Sequence, residues 1–159
     1  MKRLYLDSNI LIAYYSTDKS EEHKQKLVAA ALAIFADLKD VQLYTSMWAV
    51  TEMVNILMSQ KKMDRGEVAE LENQLVSEKR LGKLKIHFAE VSPQRDYDFP
   101  EFFYHVRHGI LNYHSGLGDI IHSVIMKNNG IADILTFDEK DDFKKIPGLT
   151  VLHPRDVKI

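Results

Sequence analysis

Three long segments of this chain carry a single charged residue each, and each time it is an acid: Asp7 in residues 4–17, Glu52 in residues 41–60 and Asp119 in residues 109–126. At 28% charged composition, windows of these lengths should hold about four, six and five charges. A carboxylate in an apolar neighbourhood loses much of its hydration energy unless something compensates it. Three such acids suggest one shared cation. Converging carboxylates suit a hard divalent ion, Mg²⁺ or Mn²⁺, and the chain has no cysteine with which to hold a softer one.

The elements that must position these acids follow from the pattern of apolar residues. A short strand over residues 3–6 ends at Asp7, Ser8 and Asn9, whose small polar side chains suit the start of a helix near Ile10. Residues 21–38 place Leu27, Ala31, Ile34 and Leu38 at helical spacing. A second strand is expected over 41–45, with Ser46 capping a helix to about Gln60 and Asp64 capping another over 65–79. Residues 83–90 alternate enough for a third strand. The stretch from Pro93 to Pro100 reads as a loop or frayed helix, and Pro100 opens a helix to Tyr113. A helix over 118–128, a strand over 131–137, a helical turn over 142–146 and a strand over 149–152 complete the reading.

Strands alternating with helices predict a parallel sheet covered on both faces, whose chemistry gathers beyond the carboxyl ends of the strands. Asp7 and Asp138 each follow a predicted strand directly, so both belong on that edge. Around the helix after Ser46, Met47, Val50, Met53, Val54, Ile56, Leu57 and Met58 fill more than half the circumference. Glu52 falls on the remaining sector with Thr51, Asn55 and Ser59, uncharged polar neighbours that suit a site wall better than a solvated face. Asp119 opens its helix, where the plainer role of an acid is to interact with the helix dipole. Asp7 could likewise serve only as a cap, and Glu52 only as a satisfied core carboxylate.

The bulk composition narrows the function. A chain of 159 residues suits one domain with a real core, spanning 1–159, and its hydrophobic content argues against disorder. A net charge of −2 gives no broad basic footprint for nucleic acid, so any such contact must be local. Asp7 interrupts the apolar run near the start before a signal peptide can form, and no stretch is long and apolar enough to span a membrane; the expectation is a cytoplasmic protein.

In order along the chain, Leu4-Tyr5-Leu6-Asp7-Ser8-Asn9, Thr51-Glu52-Met53-Val54-Asn55, Gly118-Asp119-Ile120-Ile121-His122 and Leu135-Thr136-Phe137-Asp138 followed by Asp142-Phe143 resemble the PIN-domain nucleases, most closely the VapC-type toxins of toxin–antitoxin pairs. The resemblance runs from Asp7 to Pro154. It implies an α/β fold, a three-layer α/β/α sandwich around a mainly parallel five-stranded sheet. It also implies a Mg²⁺- or Mn²⁺-dependent endoribonuclease acting on RNA phosphodiesters, an antitoxin partner and a homodimer. By position Asp7, Glu52 and Asp119 match the first three family acids and Asp138 the fourth, while Asn9 and Thr136 match supporting polar residues. Where the family often has a small residue after the third acid, this chain has Ile120. Asp141 and Asp142 compete with Asp138 for the fourth place, although Asp142 better suits capping the turn before Phe143.

Metal-held carboxylates can orient and deprotonate water for in-line attack on a phosphodiester without a histidine or serine nucleophile. Other residues point less clearly. His105 and His108 have a metal-compatible spacing that also suits a solvated helix face, and Lys61, Lys62 and Arg65 suit either a helix end or RNA. A phosphoacceptor module would need clustered acids at the first strand, and an Asp-x-Asp phosphatase fails because Asn9 holds the second position. A non-toxin RNA-processing nuclease and a non-catalytic PIN-like binding module stay open as alternatives.

Overall fold

The first strand buries side chains on both of its faces: Leu4 and Leu6 enter one hydrophobic cluster and Tyr5 another. Successive strand residues point to opposite faces, so helices must cover this strand on both sides. The computed structural model describes residues 1–90, 99–138 and 143–158 and shows how they do so. In chain order the elements are β1 (Lys2–Leu6), α1 (Ser8–Tyr15), α2 (Glu22–Asp37), β2 (Val41–Thr45), α3 (Met47–Ser59), α4 (Arg65–Val76), β3 (Arg80–Leu81), β4 (Leu84–Lys85), β5 (His87–Phe88), α5 (Phe99–Tyr113), α6 (Leu117–Asn128), β6 (Asp133–Leu135) and β7 (Thr150–Leu152). Short 3₁₀ turns at Lys19–Glu21 and Pro154–Asp156 complete them.

The main sheet has the order β5-β2-β1-β6-β7, and every pairing in it is parallel. Helices α1 to α4 cover one face, burying Ile10, Leu11, Val28, Leu32, Met53 and Leu57 against Leu4, Leu6, Leu43 and Leu135. Helices α5 and α6 cover the other, burying Phe102, Val106, Ile121 and Ile125 with Tyr5, Ile134 and Phe143. This is the α/β/α sandwich that the sequence predicts. The chain runs outward from β1 through β2 to β5, then returns to add β6 and β7 on the opposite side. That reversal leaves a crevice at the carboxyl ends of β1 and β6, where open sheets of this kind bind ligands.

Several boundaries differ from expectation. The predicted strand over 83–90 is divided: residues 84–85 pair antiparallel with Arg80–Leu81 as a small hairpin, and only His87–Phe88 joins the main sheet. The left-handed backbone at Gly82 sets the hairpin turn, and Ile86 separates the two pairings. The strand predicted over 131–137 is formed only at 133–135, and Thr136 follows it with its side chain bonded to Asp7 and Asn9. In α2 the buried stripe is Val28, Ala31 and Leu32, and Leu38 is exposed beyond the helix end. The expected loop or frayed helix over 93–100 falls largely outside the described residues, as do Asp141 and the capping role expected of Asp142. Among the described residues no helix is long and apolar enough to cross a membrane.

Helices α5 and α6 approach most closely at Gly109. A methyl group there would stand 2.8 Å from Cγ2 of Ile120, an atom that cannot swing aside without moving the branched side chain at its base. Helix propensity alone would favour Ala by ~1 kcal/mol, whereas overpacking costs ~1–3 kcal/mol. Gly109→Ala is therefore expected to lower stability in urea denaturation, and a gain would show that the α5–α6 contact yields.

Candidate metal and catalytic site

Asp7 leaves β1 at its carboxyl end and caps α1, its Oδ1 accepting the backbone N–H of Ser8 at 2.7 Å. The same residue that ends the strand starts the helix, which fixes its carboxylate on the sheet edge. Its Oδ2 accepts the hydroxyl of Thr136 at 2.7 Å. Thr136 is fully buried after β6, and its oxygen also accepts the Asn9 amide and the backbone N–H of Asp138, both at 3.0 Å. Asn9 returns a bond by accepting the N–H of Phe137 at 3.2 Å. These bonds tie the ends of β1 and β6 together and orient the carboxylate.

A residue not assigned a role from the sequence completes the arrangement. His122 lies on α6, 1% exposed, with Nε2 2.5 Å from Oε1 of Glu52 and 3.3 Å from Oδ1 of Asp7. Its Nδ1 is 2.7 Å from the Tyr5 hydroxyl, which is 2.6 Å from Oγ of Ser46. Ser46 in turn accepts the N–H of Ala49 and caps α3, the helix that carries Glu52. A chain of polar contacts thus runs from the start of α3, through β1 and α6, back to the two acids. The sequence held a signal for it: His122 follows Asp119 by three residues in one helix and so shares its face.

Ligand atoms from Asp7, Glu52 and His122 lie within 4.8 Å of one another, a group that could hold a metal ion. Two carboxylate oxygens with one imidazole nitrogen fit a divalent cation that tolerates mixed ligands and keeps positions for water. Among the described residues this group does not include Asp119 or Asp138. Asp119 is in the first turn of α6, close enough for its charge to act on His122. Asp138 follows β6 with its backbone bonded to Thr136. Gly118 lets the start of α6 approach Glu52 closely, since a Cβ there would lie 3.1 Å from Oε2 of Glu52.

A PIN-domain family model matches residues 4–149. The chain belongs to the PIN-domain family. Solved structures share the fold of this PIN domain over almost its whole length. VapBC2 from Rickettsia felis, bound to a promoter DNA fragment, is 15% identical with a TM-score of 0.61, covering 95% of this chain and 98% of that one. VapBC-1 from nontypeable Haemophilus influenzae is 12% identical with a TM-score of 0.62, covering 97% and 99%. VapC20 of Mycobacterium tuberculosis, a sarcin–ricin loop cleaving toxin, is 14% identical with a TM-score of 0.56, covering 92% and 96%. No curated protein matches this chain by sequence.

The electrostatics of this PIN domain follow from burying acids around an imidazole. Burial raises the Asp7 pKa above its ordinary 3.8, against the pull of His122 and the Thr136 hydrogen bond. Burial works to lower His122, but its hydrogen bond to Glu52 and the charges of Asp7, Glu52 and Asp119 together raise it above 6.5. Burial holds the Tyr5 hydroxyl protonated well beyond its usual range. A metal-free imidazolium here therefore stands where a cation would, screening the acids from each other.

The sign of the pH dependence follows. Both Asp7 and His122 hold their protons more tightly folded than unfolded, so metal-free stability from His122 is complete below pH 6.5 and is lost as pH rises through its raised pKa. Metal binding needs the deprotonated groups and runs the other way. Thermal melting in EDTA is expected to fall between mildly acidic and mildly alkaline buffer, while the stabilisation by added Mn²⁺ grows over that interval. His122→Gln should flatten the metal-free slope, and an unchanged slope in that variant would remove the imidazole from this account.

Proposed function

We propose that this PIN domain is a Mg²⁺- or Mn²⁺-dependent endoribonuclease, acting in the cytoplasm as the toxin of a toxin–antitoxin pair. The observation that carries the reading is the meeting of Asp7, Glu52 and His122 within 4.8 Å at the carboxyl edge of a PIN-domain sheet. Its relatives in fold include a toxin described as cleaving the sarcin–ricin loop, which favours RNA as the substrate class.

When bound, the divalent ion supplies an activated water and stabilises charge on the phosphate. The chain's own residues do the rest. Asp7, Glu52, Asp119 and Asp138 provide the carboxylates, with Asp7 and Glu52 innermost. Thr136, itself bonded by Asn9, holds Asp7 in one orientation, in which its carboxylate would be available to hold the ion. His122 either contributes its Nε2 or positions Glu52, and the Tyr5 hydroxyl fixes the ring plane through Nδ1.

In metal-dependent cleavage of a single-stranded RNA, Asp7→Asn or Glu52→Gln is expected to reduce activity by at least ~10³-fold, the scale of a missing transition-state charge interaction. The fold should survive, because each change keeps the side-chain shape. The stabilising shift given by millimolar Mn²⁺ should shrink in the same variants. Full cleavage by both would sink the assignment of the reaction to this site.

A toxic nuclease requires restraint, and the reading includes an antitoxin that inserts an Arg or Lys among the acids. A guanidinium presents a planar fork that matches a carboxylate pair and competes with metal. Apolar surface for such a partner lies on the helix that carries Glu52, where Met47, Val50, Val54 and Met58 of α3 face Val76 of α4 across a groove of about 570 Å³. The surface of α2 lies on the same side of the sheet, packed against α1. Inhibitor affinity is expected to weaken as Mn²⁺ rises and in Asp7→Asn, as read by calorimetric titration; indifference to both would place the inhibitor elsewhere. The same reading carries a homodimer.

A further inference from the structure

A second polar pocket lies on the carboxyl edge beside the acids. It has a volume of about 300 Å³ and is lined by Asp138, Lys144, Val151, His153, Arg155 and Asp156. The register of the sheet explains its place. Leu6 pairs with Leu135 and Leu135 with Leu152, so Asp7, Thr136 and His153 follow on three adjacent strands. With neighbouring strands ~4.8 Å apart, the His153 backbone lies about 10 Å from that of Asp7. Asp138 borders the pocket on the side toward the metal site. A polymer laid across the edge from Asp7 reaches this pocket next.

The lining is mixed in charge but well supplied with donors. Lys144 and Arg155 carry positive charge, and Arg presents a fork that fits phosphate oxygens. His153 accepts the backbone N–H of Arg155 on Nδ1 at 3.1 Å, which leaves the proton of the neutral ring on Nε2. Its ring meets the Phe137 ring edge-on, with Lys24 of α2 above the far side of that aromatic. Among the described residues of the lining two acids oppose the cations: Asp138, and Asp156 at 3.9 Å from the Arg155 Nε. The Arg155–Asp156 pair is more than half exposed on both sides, so water screens it and a phosphate can compete for the Arg.

We propose that this pocket is a substrate subsite that holds a backbone phosphate neighbouring the scissile one, with Lys144 and Arg155 supplying the charge and His153 a hydrogen bond. The proposal rests on the ribonuclease reading above and adds to it the direction in which the strand leaves the acids, across β6 toward β7. It also gives a net-acidic chain the local cation site that RNA binding requires.

The test uses the intact chain, a fluorescein-labelled single-stranded RNA, and both anisotropy and Mn²⁺-dependent cleavage across a salt series. Lys144→Gln/Arg155→Gln is expected to weaken binding roughly tenfold at low salt and to flatten the log–log salt dependence by ~0.7 for each phosphate that is no longer neutralised. It should raise KM in proportion while kcat stays within about twofold. Asp156→Asn is expected to tighten binding, since it removes an acid beside Arg155, and this variant tests the subsite even if the double variant folds poorly. Lys83→Gln/Lys85→Gln removes equal charge from the hairpin beside the opposite sheet edge and should leave the salt dependence unchanged.

Unchanged affinity, slope and KM in the double variant, or an effect of the same size in the Lys83/Lys85 control, would overturn the subsite while leaving the ribonuclease intact. A fall in kcat alone would also overturn it, because it would give these residues a role other than holding the strand. Failure of the unaltered chain to bind or cleave RNA would overturn the ribonuclease reading, and the subsite with it.

Discussion

Two carboxylates held at the buried end of a sheet impose the constraint around which this molecule is arranged. Asp7 is 4% exposed and Glu52 shares a single imidazole with it, so their charges must be offset within the protein. His122 offsets them in the metal-free chain, and a divalent ion can do so when the imidazole gives up its proton. On the proposed reading the protein trades one cation for another at the same place, which links stability, pH and metal in a single equilibrium.

Holding that arrangement requires elements from both faces of the sheet. Glu52 comes from α3, which packs with α1, α2 and α4 on one side, while His122 comes from α6 on the other. The two helices touch at the carboxyl edge, and β1 lies between them. Tyr5 spans the gap: its ring is buried beneath α6 and its hydroxyl lies between His122 and the cap of α3. A shift of either helix would stretch these bonds, so the packing of two separate cores fixes the distance between Glu52 and His122. The reversal of strand order at β1 makes room for this at the crevice.

The surface beyond the acids divides into regions of different chemistry. Along α3 and α4 it is apolar and grooved, suited to an inhibitory segment that approaches the acids from that side. Beyond β6 and β7 it is polar and carries Lys144, His153 and Arg155, suited to a phosphate backbone. The polar region includes Asp138 itself, while the groove is lined by Thr51 and Asn55, neighbours of Glu52 on α3. On the proposed reading an inhibitor and a substrate would contend for the same carboxylates from different directions.

Local chemistry makes much of this legible in the sequence. Single acids in long uncharged segments, a strand running into Asp7-Ser8-Asn9, and a polar sector around Glu52 all report a desolvated site, because each residue's neighbours in sequence are also its neighbours on one element. The parallel sheet follows from alternation of strands and helices, and family resemblance marks Thr136 as a support of the site, which its hydrogen bond to Asp7 makes concrete. His122 is harder to read: histidine counts as uncharged, and a polar residue in an apolar helix has no meaning until its partners from α3 and β1 are brought beside it. The division of residues 83–90 between two sheets depends on a left-handed turn at Gly82 and on which edge is free to pair. The pocket of Lys144, His153 and Arg155 depends on register, since residues separated in sequence become neighbours only when β6 and β7 align. The sequence determined which groups needed compensation; only the tertiary structure decided what compensates them, because that requires distances between side chains from elements far apart in the chain.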